Sequence, residues 1–155
     1  MGESSLQEIR NYYPVGDRLA TSGQPTREQF QFIAESGYEV VIDLAPPTSS
    51  NALTDEGEIV AREGMIYFNL PVSWDNPTLD DLKFFFALMN AVKERKVWIH
   101  CAMNMRVSCF LYLYRKYIGK LPEEEASYPL REIWQPDGVW LDFIRSAEEH
   151  FLGSE

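Results

Sequence analysis

The chain has 155 residues, 45% of them hydrophobic and 14% aromatic, which is enough for one domain with one core that folds without help from disulfides or metal. Its formal net charge of −10 and pI of about 4.7 oppose binding to nucleic acid or anionic lipid, both of which attract excess Lys and Arg. No segment approaches the roughly 20 continuous apolar residues of a membrane helix, and the polar stretch from Met1 to Tyr13 is no signal peptide. The cytoplasm is therefore the default compartment, with the periplasm open if a leader has been removed, and nothing in the sequence reports the oligomeric state.

One domain over residues 1–155 is expected, opening with a loosely structured lead-in (1–14) that carries a short turn of helix. Leu19 to Ser22 reads as a short strand. Pro25-Thr26 opens a helix, with Thr26 and Gln29 at capping-box spacing, Phe30, Ile33 and Ala34 as its apolar stripe, and Gly37 as its C-terminal glycine. The β-branched run Tyr38 to Leu44 reads as a buried strand. A Pro/Ser/Asn loop from Ala45 to Ala52 follows, and Thr54 is expected to cap a short helix ending near Gly64. Met65 to Val72 is the next strand, and Ser73 to Pro77 the next loop. Thr78 with Asp81 starts a helix running to about Lys93. Val97 to His100 is a central strand, and Val107 to Tyr117 a helix. A short acidic helix comes after Pro122, and a last helix spans about Val139 to Phe151. Trp134, Pro136 and Trp140 read as core anchors.

Strand and helix alternate four times, which predicts an α/β domain of three layers, a central and mostly parallel sheet flanked by helices. In such sheets ligands bind at the carboxyl ends of the strands. Cys101 lies at such an end, as do the loops after Leu44 and Val72.

The most informative run is Val97-Trp98-Ile99-His100-Cys101-Ala102-Met103-Asn104-Met105-Arg106-Val107-Ser108. It puts a thiol between the end of a buried strand and the N-terminus of a helix, where an anion is favoured. Cys101 is either the nucleophile or a buried structural thiol. Arg106 either clamps an oxyanion with its planar fork or pairs with one of the many carboxylates. Asn104 sits where the loop must turn, and Asn tolerates positive φ. His100 either orients the thiolate side or is a satisfied core histidine. Ser108 either donates to the thiolate or bonds back to a helix carbonyl. Met103 and Met105 either line an apolar pocket wall or pack inward. Cys101 and Cys109, if joined by helix, lie about 12 Å apart at ~1.5 Å per residue, beyond the roughly 7 Å that a disulfide spans. The two lone thiols point weakly to a reducing compartment. With two histidines and no close His/Cys/Asp grouping along the chain, no metal site is expected.

His100-Cys101 through Arg106 resembles the signature loop of the cysteine-dependent protein tyrosine and dual-specificity phosphatases. Thr21-Ser22-Gly23-Gln24-Pro25-Thr26, followed by the helix and the strand at Tyr38, resembles a bacterial branch of that superfamily related to beta-lactamase-hydrolase-like phosphatases. The resemblance runs from about residue 15 to 118. It implies a phosphate cradled by the amides of Ala102, Met103, Asn104, Met105 and Arg106, a cysteinyl-phosphate intermediate at Cys101, and no metal or other cofactor. His100 and Ser108 would support the loop. The family also uses an aspartic acid on the loop after an earlier strand to protonate the leaving oxygen. Asp75 is the candidate here, against a plain turn role before Pro77, with Asp43 as the next choice.

One departure stands out. The family loop has five residues between Cys and Arg, and this chain has four, so Val107 takes the usual place of the arginine. Rhodanese-type sulfurtransferases use such a shorter loop. The leading expectation is a metal-independent hydrolase of a phosphate monoester, on a phosphorylated small molecule or phosphoprotein, with activity weakened by the narrower loop. A rhodanese-like sulfurtransferase and a non-catalytic phosphate- or phosphopeptide-binding module are the alternatives.

Overall fold

The computed structural model describes residues 5–153. Five strands form one sheet: β1 (Tyr13–Val15), β2 (Leu19–Ser22), β3 (Val40–Asp43), β4 (Ile66–Asn69) and β5 (Val97–His100), in the order β1-β2-β5-β3-β4. The β1–β2 pair is antiparallel and the other three pairings are parallel. The helices are α1 (Arg27–Glu35), α2 (Glu56–Arg62), α3 (Leu79–Ala91), α4 (Met105–Tyr117), α5 (Glu123–Ala126), α6 (Leu130–Ile133) and α7 (Gly138–Gly153).

Every residue of β3 and β5 is buried, as expected of parallel strands covered on both faces. Period-two alternation then builds two cores. Val40, Ile42, Val97 and Ile99 face the larger one, with Leu82 and Phe85 of α3, Val107 and Phe110 of α4, and Trp140 and Phe143 of α7. Val41, Trp98 and Ala20 face the other, with Phe30 and Ile33 of α1 and Val60 of α2. This is the three-layer arrangement that the alternation predicted.

Both capping boxes form. Thr26 accepts from the Gln29 N–H while the Gln29 side chain accepts from Thr26 N–H, and Thr78 and Asp81 do the same. Elsewhere the structure corrects the sequence. Asp55, not Thr54, is the N-cap residue of α2, and it makes no side-chain cap; its Oδ2 pairs with Arg27 of α1 at 2.7 Å. The strand expected over Met65–Val72 is the shorter β4. The lead-in is not loose where it is described: Leu6 and Ile9 are buried in the smaller core, and Tyr13–Val15 pairs with β2 as an edge strand. Residues 1–4 lie outside the described residues. Helix α6 was not expected at all. No helix among the described residues is long and apolar enough to cross a membrane.

The carboxyl ends of β2, β3, β4 and β5 open on one edge of the sheet, where Gly23, the residue 44–55 loop, the residue 70–78 loop and Cys101 converge.

Candidate active site

Cys101 follows β5 directly and is 1% exposed. The chain then turns through Ala102 and Met103 to Asn104, whose φ of 66° is left-handed, and enters α4 at Met105. The side chain of Asn104 does not cap α4. Its Nδ2 donates instead to the Asn11 carbonyl and to Thr21 Oγ1, both at 2.9 Å, which ties the turn to β1 and β2. The first N–H groups of α4 are therefore left without a side-chain acceptor at their cap.

The loop carbonyls are held from outside. Ala102 O accepts from the Gln24 N–H at 3.0 Å and from Asn51 Nδ2 at 3.2 Å, and Met103 O accepts from Asn11 Nδ2 at 2.9 Å. A trans peptide sets its N–H opposite its C=O, so the amides that follow these carbonyls are turned the other way. Gly23 makes this possible. A Cβ there would sit 2.6 Å from Ala102 O, so only glycine lets the Thr21–Thr26 segment lie against the loop.

A cavity of about 260 Å³ is lined by Trp74, Cys101, Ala102, Met103, Met105 and Arg106. Five residues of the predicted loop thus share one pocket, and both methionines line its wall rather than packing away. Arg106 is 7% exposed and reaches from the first turn of α4 to the Val72 carbonyl at 3.0 Å, with the Trp74 ring 6.0 Å from its Cζ. Among the described residues its hydrogen-bond and ring partners are that carbonyl and that indole, and no carboxylate pairs with it. Asp75 is exposed, next in sequence to Trp74, and does not line the cavity. Ser108 bonds back to Met105 O at 2.9 Å, the helix-carbonyl alternative.

Trp74 was missed as a wall of the site; its place beside Asp75 was the only local signal. Its ring centroid lies 5.6 Å from that of Trp134 and 5.6 Å from that of Trp140, and Trp140 Nε1 donates to the Trp74 carbonyl at 2.9 Å. Trp134 Nε1 lies 3.2 Å from both Met105 O and Ser108 Oγ, so this anchor also holds the start of α4.

Beneath the loop, the structure gathers Asp43, Glu56 and His100, residues that the sequence did not group. His100 Nε2 lies 2.5 Å from Glu56 Oε2, and Nδ1 lies 3.3 Å from Cys101 O and 3.6 Å from Asp43 Oδ1. The two carboxylates approach different nitrogens of the imidazole, and one ligand atom from each of the three residues lies within 4.8 Å of the others. The trio is joined as a hydrogen-bonded clamp under the loop. It also removes Asp43 from the pocket: its oxygens accept from Ala45 N–H and Tyr67 Oη, both at 2.9 Å. Cys109 is a second buried free thiol, which burial pushes well above the ordinary thiol range.

Residues 11–141 match the family described as DSP-PTPase phosphatase fused to NAD+ kinase. The chain belongs to that family. A beta-lactamase hydrolase-like protein of Xylella fastidiosa (strain Temecula1) is 30% identical over 115 residues, 72% of this chain and 26% of that protein, so the chain spans about a quarter of the length of this curated relative. A DUF442 protein from Shewanella putrefaciens CN-32 has the same fold with a TM-score of 0.85 and 34% identity over 96% of this chain and 97% of its own. A kinase-associated phosphatase carrying serine for its catalytic-site cysteine shares the fold at a TM-score of 0.78 and 11% identity, over 94% and 98% of the two chains. Membership of the DSP-PTPase family favours phosphate chemistry over the sulfurtransferase alternative.

Proposed function

We propose that this DSP-PTPase family member hydrolyses a phosphate monoester through a cysteinyl-phosphate at Cys101, without a metal. The observation that carries the reading is Arg106: a guanidinium buried in the wall of a small pocket, with no carboxylate to neutralise it, in the same cavity as Cys101. A buried cation is costly unless an anion pairs with it, and a phosphate offers two oxygens to the free part of the fork. The uncapped N-terminus of α4 and the loop amides opposite the outward-held carbonyls add donors for the same anion.

In this reading Cys101 Sγ, as thiolate, attacks phosphorus in line with the ester oxygen. The S–P bond forms as the P–O bond breaks, and the leaving oxygen takes a proton from Asp75, which the residue 70–78 loop carries beside the Trp74 wall. Water then attacks phosphorus and gives a proton back to the Asp75 carboxylate, the S–P bond breaks, and inorganic phosphate leaves with the thiolate restored. Arg106 and the amides of Ala102, Met103, Asn104 and Met105 hold the equatorial oxygens throughout. In support of that role, the Val72 carbonyl holds one Nη of Arg106 at 3.0 Å in the pocket wall.

The test is turnover of p-nitrophenyl phosphate with chelator present, alongside thiosulfate-to-cyanide transfer, in the wild type, Cys101→Ser and Arg106→Ala. Phosphate release by the wild type alone, with a phosphoryl adduct on Cys101 in an acid-quenched sample, supports the reading. Equal rates in the wild type and Cys101→Ser, or sulfur transfer in place of phosphate release, would overturn it.

A further inference from the structure

His100 is fully buried directly before Cys101, and both of its ring nitrogens face acceptors. A neutral imidazole has one N–H and one bare lone pair, so a neutral ring would set a lone pair against an acceptor on one side. Glu56 Oε2 at Nε2, and the Cys101 carbonyl with Asp43 Oδ1 at Nδ1, together call for a ring that donates from both nitrogens.

Side chains from α2, β3 and α1 stand against the ring. From the start of α2 comes Glu56, whose other oxygen accepts from Gln24 Nε2 at 2.8 Å. From the end of β3 comes Asp43, which Tyr67 of β4 holds by its hydroxyl. From α1 comes Phe30, uncharged, its ring edge-on at 6.1 Å. Burial lowers the His100 pKa, but the charges of Asp43 and Glu56 more than offset it and raise it to about 9. Burial raises the Asp43 carboxyl above its ordinary range, although the His100 charge pulls the other way.

We propose that Glu56 is a positioning residue for the chemistry at Cys101: by accepting from Nε2 it keeps His100 a doubly donating cation and aims Nδ1–H at the Cys101 carbonyl. The result is an Nδ1–H donor fixed on the Cys101 carbonyl beneath the nucleophile, and a Cys101 peptide that cannot rotate its carbonyl into the pocket. Gln24, from the Thr21–Thr26 segment, in turn holds Glu56, so that segment serves the nucleophile as well as the loop backbone. The inference rests on the thiolate chemistry proposed above.

The experiment reads the nucleophile without any substrate. Iodoacetamide alkylation of Cys101 is followed by intact-protein mass spectrometry between about pH 5 and 9 in the wild type, Glu56→Gln and Glu56→Asp, with Cys101→Ser as the blank for Cys109. Glutamine still offers an oxygen to Nε2–H but no charge. Alkylation of Glu56→Gln should fall about tenfold at the acidic end, the equivalent of one titration unit, and converge with the wild type at the alkaline end. Glu56→Asp should lie between them. Superposed profiles would overturn the proposal even if phosphate turnover is intact. A shifted profile would uphold it even if turnover is absent. If Glu56→Gln fails to fold, nitrogen NMR of the wild-type imidazole decides, with His150→Gln to assign the two rings. Both nitrogens protonated near neutral pH supports the proposal, and a single neutral tautomer overturns it.

Discussion

Replacing Gly23 with alanine should distort the loop of the candidate site from outside it. The new Cβ would sit 2.6 Å from Ala102 O and 3.1 Å from two carbons of the Arg10 side chain, against an ordinary contact of 3.4 Å or more. Arg10 can swing away, but the Ala102 carbonyl is held by Gln24 N–H and Asn51 Nδ2. Relieving the contact moves that peptide by most of an ångström. Overpacking of this kind costs about 1–3 kcal/mol, and weakening one neutral hydrogen bond adds about 1 kcal/mol. The total of about 2–4 kcal/mol corresponds to a melting temperature lower by roughly 5–15 °C for a chain of this size. Because the Met103 N–H is fixed opposite the displaced carbonyl, turnover of an aryl phosphate should fall on the order of 10²-fold, as for ångström-scale misplacement elsewhere. Thermal melting and p-nitrophenyl phosphate kinetics on the same preparation measure both. A melting temperature within about 2 °C of wild type together with unchanged kcat/KM would refute the argument that Gly23 shapes the loop.

The remaining predictions concern the turn, the acid and the clamp. Asn104→Gly keeps the left-handed turn and loses the bonds to Asn11 and Thr21, whereas Asn104→Ala loses the bonds and adds a strained φ; alanine should therefore be the less stable by about 1–2 kcal/mol in denaturant unfolding. Asp75→Asn should slow esters of poor leaving groups by about 10²–10⁴ and p-nitrophenyl phosphate far less; equal slowing of both would leave Asp75 no role as the acid. His100 is raised to about 9 because Asp43 and Glu56 outweigh its burial, while an unfolded histidine titrates near about 6.5. A folded-state value above the unfolded one contributes stability that is complete below about pH 6.5 and is lost as pH rises through about 9. Melting temperature should fall across that window in the wild type and much less in His100→Gln; a flat wild-type profile would show that the ring is not held as a cation.

What was legible in the sequence is what short-range physics decides. The two capping boxes depend on residues three apart, β5 on the apolar run Val97-Trp98-Ile99, and the Asn104 turn on one residue's tolerance of positive φ. Cys101 and Arg106 reach one pocket because a strand end, a tight turn and a helix start leave little choice over six residues. The rest was set by groups far apart along the chain. Arg27 pairs with Asp55 at the start of α2 from 28 residues away, β1 exists because β2 offers an edge to pair with, and Leu6 and Ile9 are buried in the smaller core. Glu56 meets His100, 44 residues away, only because α2 packs on β4 and α1 and sets the start of the helix beside the end of β5. Trp74 became a wall only when Trp134 and Trp140 closed around it. Local preferences act through the backbone of a few neighbouring residues, whereas these contacts are selected by burial, where an unpaired charge or polar group must find whichever partner the fold has placed within reach.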